Sequence, residues 1–339
     1  MQEHGLTPDG SPLRSITIEN GHGLCATILS WGGTLSSVRL PGVGDITLGF
    51  ADPRRYLEPH PFFGCTAGRF ANRIAAGRFV LGGVAHQLTT NDGPNHLHGG
   101  TRGFDKRNWR IEPAGPAAVR CLLHSPDGDE GYPGALDVCV TYALTRDALT
   151  ITYAATTDRP TVVNLTNHAY WNLGGPAERD ILAHTLRLNA EHYTVVDAAS
   201  IPTGEQRAVA DTAFDFRTAK PIGRDIAALK DTPGGGFDHN WAIARTAPGL
   251  ALAAVLTHPA SGRTMRVETD EPGIQFYSGN YIQAVAGHRA EPYEKFAGLC
   301  LETQHFPDAP NQPAFISTTL RPGETYASTT VYRFGGAGE

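Results

Sequence analysis

Apolar residues alternate with polar ones over short stretches through most of the chain, and the period of two predicts strands rather than helices. Ile16 and Ile18 alternate with polar neighbours, and residues 24–29 and 35–40 follow, broken by Gly32-Gly33. Residues 77–81 and 84–88 flank Gly82-Gly83. That pairing predicts a hairpin, because the two glycines take positive φ without a Cβ clash. Further strands are expected at 119–123, 136–144, 149–155, 181–188, 250–257, 263–269, 273–278, 299–303 and 326–334. One short helix is expected, at 222–229, with Pro221 near its start. Residues 52–63, 89–108 and 231–236 read as loop from their Pro, Gly and polar content.

This pattern predicts an all-β fold, a large antiparallel twisted β-sandwich with few short helices. There is no internal repeat, no heptad run, and no linker between compositionally distinct halves. A single domain over 1–339 is therefore expected, with a core at about 13–334. Composition agrees: 18% of the 339 residues are charged, with 39 Gly and 24 Pro, as in a turn-rich globular protein.

A net charge of −6 without a long basic run argues against a nucleic-acid partner, which would require clustered Lys and Arg. No apolar run is long enough to span a membrane, and the first residues lack a secretory pattern. Five cysteines, odd in number and without a C-x-x-C pair, argue against a disulfide framework or a zinc ribbon. A cytoplasmic location is the resulting expectation.

Four polar clusters interrupt the apolar pattern. Asn164-Leu165-Thr166-Asn167-His168-Ala169-Tyr170-Trp171-Asn172-Leu173 combines amides, an imidazole and aromatics. That mixture suits a concave polar site with an aromatic wall, or else asparagines that satisfy neighbouring loops. Its Asn164-Leu165-Thr166 also matches a glycosylation acceptor, an accidental match in a chain without a secretory signal. Gly68-Arg69-Phe70-Ala71-Asn72-Arg73-Ile74 offers two guanidiniums around an amide, for a hydroxyl-rich or anionic ligand or for a structural ion pair. In Asn95-His96-Leu97-His98-Gly99-Gly100, His96 and His98 would share one strand face, but no third metal ligand stands nearby. Phe237-Asp238-His239-Asn240-Trp241 could bind hydroxyls or begin a strand. Glu302 follows the apolar run 298–301 and would sit at a strand end, either as a desolvated base or as an exposed terminus. No G-x-S-x-G, P-loop or dinucleotide fingerprint occurs.

Taken in order, and with Gln275-Phe276-Tyr277-Ser278-Gly279-Asn280 and Leu301-Glu302-Thr303-Gln304, these clusters resemble the aldose 1-epimerase (galactose mutarotase) family over residues 13–334. The resemblance implies a twisted supersandwich with an open sugar groove. It implies interconversion of the α and β anomers of free aldoses such as glucose and galactose, with no cofactor and no metal. Matched by motif, His168 would be the general acid at the ring oxygen and Glu302 the base at the anomeric hydroxyl. Asn72, Arg73, His98, Asp238 and Gln275 would bind and orient the sugar. Ordinary pKa values of roughly 4.3 and 6.5 would give ionised Glu302 with protonated His168 near neutrality. The small-molecule sugar would be the partner of a monomer or weak homodimer.

Trp171 departs from the family, which more often has Phe, and is expected in the pocket wall. His96 and the Pro59-His60-Pro61 loop leave substrate preference open. Alternatives are a hexose-phosphate 1-epimerase, which would need extra basic residues such as Arg69 and Arg73, and a non-catalytic sugar-binding module. A glycoside hydrolase or lyase would call for two carboxylates.

Overall fold

The computed structural model describes residues 1–336 and contains three large antiparallel sheets. The largest has nine strands: Arg110–Pro113, Ala118–Ser125, Leu136–Leu144, Ala148–Thr157, Tyr326–Gly335, Arg263–Thr269, Ala251–His258, Thr185–Leu188 and Lys220–Pro221 in spatial order. A six-stranded sheet runs Tyr170–Trp171, Leu299–Gln304, Gly273–Tyr277, Asp238–Ile243, Ala190–Val196 and Pro202–Ala208. The first forty-five residues supply a five-stranded sheet that begins with Gln2–Leu6, ahead of the core expected from residue 13.

The core lies where the inner faces of these sheets meet. Ile16, Ile28 and Val38 of the five-stranded sheet join Val140, Ile151 and Val267 of the nine-stranded sheet and Trp241, Phe276 and Leu301 of the six-stranded sheet in one buried cluster. Alternation explains the layering. In Leu136–Leu144, residues 136, 138, 140, 142 and 144 are buried, and those between are wetter, as expected when successive side chains point to opposite faces. The antiparallel sandwich read from the sequence is the observed architecture. Helical structure among the described residues is confined to 3₁₀ turns of three to five residues.

The hairpin at Gly82-Gly83 forms between Arg78–Leu81 and Val84–Gln87, with φ of 59° and 82° at the two glycines. Several expectations are corrected. The single helix over 222–229 is two 3₁₀ turns, Ile222–Arg224 and Ile226–Leu229. The backbone leaves helical geometry at Asp225, with φ −113° and ψ 6°, which separates the two turns. The strand expected from 181 begins at Thr185, after a turn closed by His184 N–H to the Ile181 carbonyl.

Four strands between residues 110 and 243 carry no clear periodic signal. Arg110–Pro113 has four residues and ends in proline, and Pro202–Ala208 is a largely exposed edge strand. Ala190–Val196 is bulged against both neighbours, which shifts its alternation. Asp238–Ile243 is buried on both faces over most of its length, which removes the contrast that alternation needs.

Candidate active site

Three adjacent strands of the six-stranded sheet set out one wall of the site by register alone. Asn240 lies opposite Gln275, and Gln275 opposite Glu302. One step along, Asp238 faces Tyr277, Tyr277 faces Cys300, and Cys300 faces Tyr170. Directly paired residues in an antiparallel ladder share a face. The intervening Ile274, Phe276, Leu299 and Leu301 belong to the main core. The opposite face therefore carries Glu302, Gln275 and Asn240 in one row and Tyr277, Cys300 and Tyr170 in the row beside it.

Glu302 is not at a strand end. It is the fourth of six residues in Leu299–Gln304, every one of them buried. Burial pushes its carboxyl well above the usual range, and the Asp238 carboxylate pushes the same way, partly offset by the Arg73 guanidinium. Its Oε2 has no hydrogen-bond partner, and neither does Gln275 Oε1. Gln275 Nε2 donates to Asp238 Oδ1 at 2.8 Å. An unpaired buried acceptor costs on the order of 1–3 kcal/mol, so this face is suited to a ligand rich in hydroxyl donors.

His168 approaches from the loop between Thr166–Asn167 and Tyr170–Trp171. Its N–H donates to the Cys65 carbonyl, and its carbonyl accepts from Gly64 N–H. These two bonds hold its backbone against the 62–65 segment. The ring places Nε2 3.7 Å from Glu302 Oε1, with both side chains buried. Burial pushes the imidazole down to about 4. Burial thus pushes both groups toward their neutral forms, away from the ionised Glu and protonated His that ordinary pKa values would give. Both arrangements hold one proton between the two groups; desolvation favours the one without charges.

His98 lies beside His168 with ring centroids 5.1 Å apart, and the Phe62 ring packs on both. Asn72 N–H donates to His98 Nδ1 at 3.1 Å, and His98 N–H donates back to the Asn72 carbonyl. Both residues have positive φ, 64° and 50°. With Nδ1 accepting, a neutral His98 carries its proton on Nε2. Burial and the neighbouring His168, Arg73 and Lys106 hold it neutral. Gly99 permits this closeness, since a Cβ there would lie 1.7 Å from the Gly68 carbonyl oxygen. Arg73 donates from Nε to Asp92 at 2.7 Å, so Asp92 orients a guanidinium that the sequence singled out without its partner.

The fold also separates neighbours that the motifs join. Arg69 is fully buried and faces away from Glu302. It donates to the Gly134 carbonyl at 2.7 Å, to Ser125 Oγ at 2.6 Å and to the Pro133 and Ser125 carbonyls. Arg69→Met is therefore expected to reduce unfolding free energy by about 3 kcal/mol, because buried carbonyls lose a charged donor. Urea unfolding measures this, and KM for sugar in the folded protein is expected to stay unchanged.

His96 also turns away, with Nδ1 2.7 Å from the Thr89 carbonyl and Nε2 2.6 Å from the Tyr132 hydroxyl. His96 and His98 do not share a face. Instead His98, His168 and Glu302 bring ligand-type atoms within 4.8 Å of one another. A cation held through His98 Nε2 would need the other tautomer and would break the Asn72 amide bond, so the donor set fits a hydroxylated ligand better. His60 stacks among Phe50, Tyr56 and Phe63, outside the site.

Trp171, expected in the pocket wall, points into the core. It lies opposite Leu299 in register and packs 4.9 Å from Tyr332 and 6.0 Å from Phe334. Alternation gives the groove Tyr170 instead, 5.1 Å from the His168 ring. The asparagines of the same stretch are structural. Asn164 binds the Ala71 and His305 backbones, Asn167 the Gly64 carbonyl, and Asn172 the Ala297 carbonyl. Asn164 is fully buried, which closes it to glycosylation. Phe62 carried no sequence signal beyond its place in a Pro-rich loop. Asn240 stood inside a quoted motif without a role.

A family model described as aldose 1-epimerase matches residues 14–333. Aldose 1-epimerase of Escherichia coli (strain K12) is 41% identical over 337 residues, covering 97% of each chain. Galactose mutarotase of Homo sapiens is 44% identical over 314 residues, 91% of this chain and 90% of that one. A crystal structure of an aldose epimerase homologue from C. elegans aligns with a TM-score of 0.88 at 33% identity, covering 96% of this chain and 99% of the other. Galactose 1-epimerase from Lactobacillus acidophilus aligns at 0.84 and 32%, covering 97% and 96%.

Proposed function

The chain belongs to the aldose 1-epimerase family, an isomerase acting as a mutarotase, and we propose that His168 and Glu302 move the protons while Asn72, Arg73, His98, Asp238 and Gln275 hold the sugar. The observation that carries this reading is the buried His168–Glu302 pair, 3.7 Å apart, on a face where Glu302 Oε2 and Gln275 Oε1 have no partner. Mutarotation needs one group to take the anomeric hydroxyl proton and another to protonate the ring oxygen. The C1–O5 bond then breaks, its electron pair stays on O5, and C1–O1 becomes a carbonyl. Rotation about C1–C2 and the reverse transfers close the other anomer.

The resting neutral pair reaches the working state when Glu302 passes its proton to His168 Nε2. The carboxylate then faces the anomeric hydroxyl and the imidazolium the ring oxygen. Desolvation opposes that charge separation in the free protein. A bound sugar that hydrogen-bonds both groups, with Arg73 near the carboxylate, offsets it. His98 Nε2–H and the Gln275–Asp238 pair supply orienting contacts. Arg69 is committed to backbone carbonyls, which leaves Arg73 without the second guanidinium that recognition of a hexose phosphate would use.

The pH profile tests the pair. One shared proton is required; it becomes two when His168 is protonated at about 4. It becomes none only well above the ordinary carboxylate range. Catalysed kcat/KM for α-D-galactose, with the spontaneous rate subtracted, is expected to stay level from about pH 7 to about pH 5 and to fall below about pH 4. An acid limb near the ordinary imidazole value of about 6.5 would contradict the neutral pair.

The same reading takes residues 1–339 as one catalytic domain, a monomer or weak homodimer, in the cytoplasm. All five cysteines are unpaired, as a reducing compartment favours. Among the described residues no helix is long and apolar enough to cross a membrane.

A further inference from the structure

One buried group touches the proton-transfer pair without any role in the steps above. Cys300 Sγ lies 3.4 Å from His168 Nδ1, on the side of the ring away from Glu302. Cys300 is fully buried, and the backbone carbonyl of His168 itself also favours a proton on the ring. The position follows from register. Cys300 is two residues before Glu302 on one strand, so both point to the same face. Tyr170, opposite Cys300, packs against the His168 ring. One strand thus supplies the carboxyl to one ring nitrogen of His168 and a sulfur to the other.

An imidazole that shuttles a proton at one nitrogen must keep the other nitrogen's proton in place, and the partner of that second nitrogen decides the tautomer. Nε2 must accept a proton from Glu302 and release it to the sugar ring oxygen. It can accept only if Nδ1 already carries the ring's own hydrogen. We propose that Cys300 is a positioning residue of the reaction: its sulfur accepts the Nδ1–H of His168 and keeps Nε2 as the nitrogen that exchanges protons with Glu302 and the sugar. A carboxylate in that place would hold the ring as imidazolium. Sulfur is a weak acceptor, so it sets the tautomer without taking the ring out of its neutral resting state. Burial above all, with the nearby Asp238, pushes the thiol up and keeps it protonated, so no charge is introduced at Nδ1.

This inference rests on the acid–base reading of His168 and Glu302, and its test separates the two. In ¹⁵N NMR of the wild-type protein, His168 is expected as a neutral ring with the hydrogen on Nδ1. In Cys300→Ala that ring is expected to become a mixture of tautomers. The kcat on galactose is expected to fall about tenfold, the low end of what loss of a ring-orienting partner does at metal-bound histidines, with KM unchanged. Cys300→Ser restores an acceptor, and a stronger one. It is expected to recover most of kcat and to move the acid limb of the profile upward, because oxygen stabilises the imidazolium more than sulfur does.

A wild-type His168 with its hydrogen on Nε2 overturns the proposal. So does a Cys300→Ala protein with unchanged tautomer, kcat and pH profile. If Cys300→Ala does not fold, the wild-type spectrum and Cys300→Ser decide. A fully active His168→Asn would instead defeat the acid–base reading itself, whatever Cys300 does.

Discussion

Glu302→Gln and His168→Asn are each expected to lower kcat on α-D-galactose by roughly 10²- to 10⁴-fold, the range general acid–base help supplies, while the fold persists. Polarimetry of freshly dissolved sugar reads the loss directly. The effect falls on kcat rather than KM, because each substitution removes a proton transfer made only in the transition state. The double variant is expected to lose about as much as the worse single one, since neither group can complete the exchange without the other.

Stability separates this outcome from a folding defect. Burial disfavours the Glu302 anion, and glutamine is the neutral isostere of the protonated acid. Unfolding free energy of Glu302→Gln is therefore expected within about 1 kcal/mol of wild type. Sugar binding that survives in both variants would still fit this picture. Near-normal turnover in both would remove His168 and Glu302 from the mechanism and favour a different proton path.

The second large effect is on stability and concerns Trp171. Trp171→Ala is expected to cost about 3–5 kcal/mol, the usual range for a deleted buried aromatic. The ring bridges the six-stranded sheet to Tyr332 and Phe334 of the nine-stranded sheet. Trp171→Phe is expected within about 1 kcal/mol of wild type. It removes ring volume, but it also removes a buried indole N–H that has no acceptor, and such an orphaned donor costs about 1–3 kcal/mol. Urea unfolding gives both values. In the folded fraction, kcat/KM is expected to stay within about threefold of wild type for either variant, less than 1 kcal/mol of transition-state stabilisation. A tenfold change in KM would return Trp171 to the groove wall.

These two residues show how legible the chain is. Trp171 is one position from Tyr170, and both stand in a motif whose resemblance to aldose 1-epimerases is carried by its order and composition. Period-two alternation guarantees that they face opposite ways. It does not say which way is the groove. Arg69 and Arg73, and His96 and His98, stand an even number of positions apart, so alternation would give each pair one face, but positive φ at Asn72 and His98 breaks the strand pattern there. In each case one neighbour reaches the site while the other satisfies backbone or a tyrosine hydroxyl in the interior. A search for the richest polar cluster finds the right stretch and overcounts its functional members.

The pattern of apolar and polar positions by itself determined the strand-rich class, the Gly82-Gly83 hairpin and most strand cores. The ordered motifs determined the family, and within them the His168 and Glu302 pair. Only the tertiary structure decided the rest. Leu299–Gln304 is buried on both faces, so no polarity contrast along it could reveal that Leu299 and Leu301 enter the core while Cys300 and Glu302 face His168. The protonation state of the pair was equally out of reach, because it depends on how completely the sheets and the 62–65 segment exclude water from two groups 134 positions apart in the chain. Desolvation belongs to the assembled fold, and here it pushes both groups away from the charge states that the isolated side chains would adopt.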